Sequence, residues 1–290
     1  MCQRDARGFR MPRLSEEGYY NGRSPLDVQL FPNSRRPGAG LKPRRDSTRP
    51  MLPQHSRHCP VLEAGSAAGF MVYAPLEPQE SFHVGYEGDG VYKFVYFAQL
   101  KDGKTTPIFS VTLTLPLGGI GMLKEEVQIL SPASVTREAA LAVMRVFLVP
   151  EDMGTPAGAL ALRGAYNFKT ADGWDTIYTP IFNMIERPIA PMLIVRVETD
   201  WHVHDTEFRY VMQPGEGISV SQSIPIGQVL FVPREEITFR DSTEREVDAL
   251  RQEQQEFRKH KAEAAQKTPY GLTVSPHYLR ESRARRDSKD

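Results

Sequence analysis

Between residues 59 and 236 short apolar segments alternate with turn signals, and the period-two pattern within them predicts strands. TPIFSVTLTLP sets Phe109, Val111, Leu113 and Leu115 on one face. SFHVGYEGDGVYKFVYFAQL predicts a hairpin whose GDG turn supplies the positive φ angles of a tight loop. FMVYAP, GALALRGAYNF, WDTIYTPIF, APMLIVRVETDW, TEFRYVMQPGEGISV and PIGQVLFVP continue the pattern, with a polar turn at 171–173 and PGEG as a hairpin turn. VMRVFLVP reads as a further strand, and KEEVQIL fits strand or helix. SVTREAALAVM opens on a capping-box-like Thr136 but is short, and VLEAGSAAG fits a helical turn ended by Gly69.

The pattern changes at both ends. Residues 241–268 lack Pro and Gly and are rich in helix formers, with Thr243 and Glu246 at capping-box spacing. Val247, Leu250 and Phe257 make a thin apolar stripe on an otherwise charged rod. Residues 1–56 are an Arg- and Pro-rich arm with one short strand at 27–31. Of this arm GRSPLDVQLFP can dock, whereas RRPGAGLKPRRDSTRP does not fold by itself. The expected fold is mainly β: a single β-sandwich or β-clip-like domain over 57–240. An extended N-terminal arm precedes it, a C-terminal α-helix follows over 241–268, and a basic tail fills 269–290.

Composition narrows the class. With 40% hydrophobic and 25% charged residues in 290, the chain reads as a globular protein. No apolar run approaches the roughly 20 residues needed to cross a bilayer, so no membrane partner is expected. Basic residues at the N-terminus are followed by no apolar segment of a secretory signal. Cys2 and Cys59, the only cysteines, suggest neither a disulfide scaffold nor a cysteine zinc site, and a reduced cytoplasmic protein is expected. The formal net charge is zero, but residues 1–50 hold ten Arg and one Lys against five acids. No aromatic-studded basic strand accompanies that excess, so nucleic acid is not the expected partner. A homo-oligomer or assembly contact through the N-terminal arm and C-terminal helix is. Walker, dinucleotide and G-x-S-x-G motifs are absent from the sequence.

Candidate chemistry concentrates at Asp200, His202, His204, Asp205 and Glu207. On an extended strand His202 and His204 project side by side, and with Glu207 they suit a divalent metal, Fe, Mn or Zn. A bulge is needed to bring Glu207 to that face, and His55, His58 or His83 would complete the set. The alternative is a solvated strand surface. Glu198 and Asp200 suit acid–base work if one is buried; otherwise they form a strand edge, with Glu198 paired to Arg196 or Arg209. Asn167, Asp172 and Gly173 are expected to fix a hairpin, and Arg163 with Lys169 to offer a site for an anion. The ligand-binding candidates are Trp201, Asp200, Arg163 and Asn167; the metal candidates are His202, His204 and Glu207.

Four blocks, CPVLEAGSAAGFMVYAP, RVFLVPEDMGTPAGALALRGAYNFKTADGWDTI, VRVETDW and PIGQVLFVPRE, carry a resemblance to the bacterial domain-of-unknown-function family 6065 over residues 59–236. The resemblance implies no activity, since the family has none assigned, and HVHDTE departs from it. His202-Val-His204 with Glu207 and Gly215 is also similar to the first cupin motif, one residue off at both spacings and without the second motif's His. ISVSQSIPIGQVLFVP resembles the closing strands of the dUTPase and dCTP deaminase β-clip, which implies strand arrangement alone. The expected function is a binding or assembly module of unassigned activity. The alternatives are a cupin-like metal-dependent oxygenase or isomerase and a nucleotide-binding β-clip protein.

Overall fold

The computed structural model describes residues 26–45, 59–100, 103–115, 123–131, 135–150, 153–184, 193–202, 204–267, 269, 271 and 273–287. They divide into two compact units, 27–235 and a second that includes 236–290. The larger unit is mainly β and antiparallel throughout.

One sheet is a meander. Strands β3 (Glu80–Gly88), β4 (Val91–Gln99), β5 (Thr105–Thr114) and β6 (Lys124–Ile129) follow in order, and β12 (Gly217–Ser221) joins β3 at the other edge. The β3–β4 turn has the predicted chemistry: Asp89 and Gly90 take φ of 49° and 77°, the left-handed values a two-residue hairpin needs. Gly90 has a second reason to lack a side chain, since a Cβ there would meet Leu115 O at 2.3 Å. Alternation then places Tyr92, Phe94 and Tyr96 of β4 and Phe109, Val111 and Leu113 of β5 inside, all under a tenth exposed.

A four-stranded sheet faces the same core. It runs β10 (Val195–Val197), β9 (Trp174–Thr179), β13 (Pro225–Pro233), β2 (Phe70–Tyr73). Its buried amide, Gln228, accepts from Phe182 N at 2.9 Å. Through Nε2 the same side chain donates to Ser66 O at 3.3 Å, at the end of α1 (Pro60–Ser66). Two smaller pairs complete the unit, β7 (Ala159–Arg163) with β11 (Glu207–Val211), and β8 (Tyr166–Lys169) with β1 (Gln29–Pro32). Residues from the two large sheets, β7, β8 and β11 form one hydrophobic cluster.

Helix α2 (Arg137–Phe147) corrects the reading of VMRVFLVP as a strand. Thr136 caps it by accepting from Ala139 N at 3.2 Å, and Ala140, Met144 and Phe147 recur at helical spacing, fully buried. Phe147 stacks on Phe82 with centroids 5.0 Å apart and lies 6.3 Å from Phe94. Arg145 reaches Glu125 of β6 at 2.5 Å and holds the outer face. A second correction concerns PGEG, which joins strands of different sheets, β11 on β7 and β12 on β3, and so makes a corner instead of a hairpin. Residues 190–192, the start of the longest apolar stretch, lie outside the described residues.

The arm divides differently from expectation. Residues 27–45 belong to the larger unit, so its boundary lies well before residue 57. Several polar groups of this segment find partners on the body. Asn33 is buried and donates to Gly164 O at 2.9 Å, Arg44 exchanges backbone bonds with Met71, and Arg36 forks onto Glu80 at 2.6 and 2.8 Å. Tyr96 also donates to Glu80, at 2.5 Å. Burial alone would raise the Glu80 carboxyl, but Arg36 and Tyr96 hold it below its usual value.

In the smaller unit α3 (Glu244–Glu263) carries the full capping box of Thr243 and Glu246. A short pair, β14 (Gln266–Lys267) with β15 (Thr273–Val274), leads to α4 (His277–Asp287), whose His277 packs on Phe257 at 4.8 Å.

Truncating Phe147→Ala removes the ring that joins α2 to the meander. The expected cost is about 3–5 kcal/mol, read as a lowered urea midpoint of the body. A loss of less than about 1 kcal/mol would show that α2 does not hold the sheet.

Candidate functional site

Between β10 and β11 the chain turns at residues 199–201, where the sequence predicts a strand. Thr199 causes this. It is fully buried, with its hydroxyl 2.9 Å from Thr170 Oγ1 and 2.7 Å from Thr176 Oγ1, so the chain is pinned inward immediately after Val197. His202 N closes the turn on Glu198 O at 3.0 Å. Outside the pin, Asp200 accepts from Gly173 N at 2.9 Å and from Arg234 at 2.8 Å. Trp201, 68% exposed, donates through Nε1 to Glu198 at 2.5 Å.

Arg234 ties this turn to the sheet. It lies 2.6 Å from Asp175, which also receives Arg196 at 2.6 Å and is 2% exposed. Burial pushes the Asp175 carboxyl up, yet the two guanidinium groups hold it below its ordinary value. Arg234 likewise holds Asp200 low, and the two carboxylates raise the arginine in turn. Glu198 lies 3.7 Å from Arg234 and is not the partner of Arg196.

The inward side of the turn leads to a buried polar cluster. Glu207 of β11 sits directly across from Arg163 of β7, and on neighbouring antiparallel strands such residues share a face. Arg163, 5% exposed, donates to Glu207 at 3.0 Å and to Asp205 at 2.9 Å. Asn167 of β8 donates to the other oxygen of Asp205 at 3.0 Å and accepts from Thr206 N at 2.9 Å. Among the described residues three buried side-chain polar atoms lack a hydrogen bond of good geometry, and all three are here: Arg163 Nε, and Tyr178 Oη and Thr206 Oγ1, two hydroxyls that interact with each other. Leaving such an atom unmet costs about 1–3 kcal/mol. The Tyr178 hydroxyl is pushed up to about 12 by burial; a hydrogen bond with Thr206 opposes the rise and Glu207 and Asp205 add to it, so the phenol keeps its proton.

Four rings connect this cluster to the surface. Trp201 lies 5.4 Å from His202, His202 5.9 Å from His204, and His204 6.2 Å from Tyr178 in an edge-on contact. The line runs from an exposed indole to a phenol that is 2% exposed.

The sequence-derived candidates therefore separate. Arg163 and Asn167 meet in one cluster, and Trp201 and Asp200 share the adjoining turn. Arg163 does not join Lys169 in an anion site, because two carboxylates already neutralise it. Asn167 fixes the 205–206 backbone and not a hairpin. Of the metal candidates, His202 and His204 lie ring to ring at 5.9 Å, while Glu207 is drawn to Arg163 by strand register. Among the described residues no three His, Cys, Asp or Glu side chains are grouped to hold a metal. His83 sits on β3 with Nδ1 2.9 Å from Ser219 Oγ, and burial lowers its pKa; His55 and His58 lie outside the described residues.

Sequence reasoning passed over Asp175, Tyr178, Thr206 and Arg234. Asp175 left a signal, a charge within an otherwise apolar strand. Tyr178 and Thr206 left none, since a tyrosine in a strand and a threonine before one are ordinary strand residues. No protein-family model matches the chain, and no curated protein does.

The depressed Asp175 carboxyl makes a pH signature. A group held below its unfolded value adds stability above that value and loses it as pH falls through the folded-state pKa. Asp175→Asn is therefore expected to lower the urea midpoint at pH 7, with the gap to the native protein closing as pH falls below about 4. Equal gaps at pH 7 and pH 3 would remove the ion pair from the account.

Proposed function

We propose that the β body is a binding module for a small, neutral, hydroxyl-bearing ligand, held between Trp201 and the cluster at Arg163, Tyr178 and Thr206. The observation that carries this reading is a buried guanidinium edge without a hydrogen bond, Arg163 Nε, beside the interacting hydroxyls of Tyr178 and Thr206 at the inner end of the ring line. Arg163 Nε offers a donor, and the Tyr178 and Thr206 hydroxyls, bonded to each other, keep one proton and acceptor lone pairs between them, which is what an alcohol or a sugar hydroxyl pairs with. Asp205 and Glu207 leave the cluster one negative charge in excess of Arg163, which disfavours an anion. An exposed indole supplies a flat apolar face for the ligand's carbon skeleton.

Binding, not turnover, suits the charges present. Asp175, Asp200, Asp205 and Glu207 each already hold a guanidinium, and the arginines keep Asp175 and Asp200 below the usual carboxylate value, away from acid–base work near neutral pH. The half-exposed free thiol of Cys59 supports work in the reducing cytoplasm. Family 6065 membership is part of the same reading, supported by the four sequence blocks.

Thermal shift tests it, with glucose, galactose, N-acetylglucosamine, glycerol and uridine as probes at millimolar concentration. One neutral hydroxylated probe is expected to raise the melting temperature, as a ligand of the native state must. For that probe Tyr178→Phe and Trp201→Ala should each weaken binding about tenfold by calorimetry, the equivalent of one lost hydrogen bond or contact. A panel without any shift, or both variants binding as the native protein does, overturns the proposal.

A further inference from the structure

Helix α3 has twenty residues and none of its side chains is buried. Leu250 is 54% exposed and Phe257 38%. Helices of this length are marginal in water unless an apolar face is covered, and a good N-cap adds only about 1 kcal/mol. His277 of α4 covers one side of Phe257 and leaves the segment from Val247 to Gln254 open.

The uncovered face has a definite period. Val247, Leu250, Gln254, Phe257, Lys261 and Ala264 follow one another at alternating steps of three and four, the a and d positions of a heptad repeat. Charged residues flank that seam in a fixed order. Glu246 and Glu253 occupy the positions before a, and Arg251 and Arg258 those after d, each Arg five residues beyond its Glu. Residues five apart do not face each other on one helix. Across two parallel helices in register they do, as position g of one against e of the other. Within the chain Arg251 meets Asp248 and Glu246 meets Arg240, whereas Glu253 and Arg258 pair with no other described residue.

From this charge order we propose that α3 pairs with α3 of a second copy of this chain, as a parallel two-stranded coiled coil. Val247, Leu250 and Phe257 fill the seam, and Glu253 of each copy lies against Arg258 of the other. The antiparallel arrangement sets Arg opposite Arg and Glu opposite Glu, so charge selects the parallel one. Gln254 at a central a position fixes the register, because a shifted partner would bury its amide against an apolar residue. Lys261 lays its stem along the last layer with its ammonium in water. The inference stands on α3 alone and is independent of the ligand site in the β body.

The full chain is examined by sedimentation equilibrium over a range of concentrations. A dimer is expected, with dissociation strengthened about tenfold by Glu253→Arg or Arg258→Glu alone, since each turns two attractions into repulsions. The double exchange Glu253→Arg, Arg258→Glu restores the native dimer, and circular dichroism shows α-helix content retained in all three. Gln254→Cys, in a chain carrying Cys2→Ser and Cys59→Ser, forms an intermolecular disulfide, because opposite a positions are neighbours only in the parallel coil. A native chain that stays monomeric, single exchanges without effect, no recovery in the double exchange, or a Gln254→Cys chain that does not cross-link overturns the proposal.

Discussion

A guanidinium enclosed by β-structure has to be met by carboxylates, and in this protein that requirement organises the centre. Arg163 is met by Glu207 directly across the β7–β11 pair and by Asp205 two residues earlier. A shift of one residue in that pairing would turn Glu207 to the other face and leave the charge uncompensated. The register of β11 is therefore fixed by charge as well as by Phe208 and Tyr210, which fill the core from the alternate positions. Once β11 is set, the chain before it must bridge from the edge of a different sheet. The turn at 199–201 begins that bridge, and the ring line starts from it at Trp201.

Much of the fold was legible because it depends on neighbours in sequence. The Asp89–Gly90 turn needs left-handed backbone that Asp and Gly tolerate, and the two strands it joins alternate cleanly. The cap of α3 is a local pattern and is present as read, with Thr243 and Glu246 bonded reciprocally. Failures came where tertiary contacts outweigh local preference. Val143 and Val146 favour extended backbone in isolation, but a helix lets Met144 and Phe147 enter the aromatic core together with Ala140. The HVH stretch looked extended, yet Thr199 draws the chain inward just before it. Part of the basic arm looked unable to fold alone, and in its described residues Asn33, Arg36 and Arg44 take their partners from the body.

The site was legible only in part, for a related reason. Trp201, Asp200, Arg163 and Asn167 were visible as residue types that bind ligands, but their grouping depends on strand order. Tyr178 and Thr206 are 28 positions apart in the chain and share a cluster because β9 and the start of β11 lie close in the folded unit. Metal chemistry was inferred from spacing that assumed a strand. With the histidines ring to ring and Glu207 held by an arginine, the same residues make a stack and an ion pair.

The buried threonines carry a last implication. Thr170 gives its one hydroxyl proton to Trp174 O, at 2.6 Å, so its oxygen can only receive from Thr199. Thr199 has then spent its own proton and must receive from Thr176. The three hydroxyls form a one-way relay with a single permitted order of protons, anchored at a carbonyl. Such an arrangement has no soft mode: interrupting it at Thr199 frees both neighbours at once, and the losses at Thr170 and Thr176 will not sum as independent sites do.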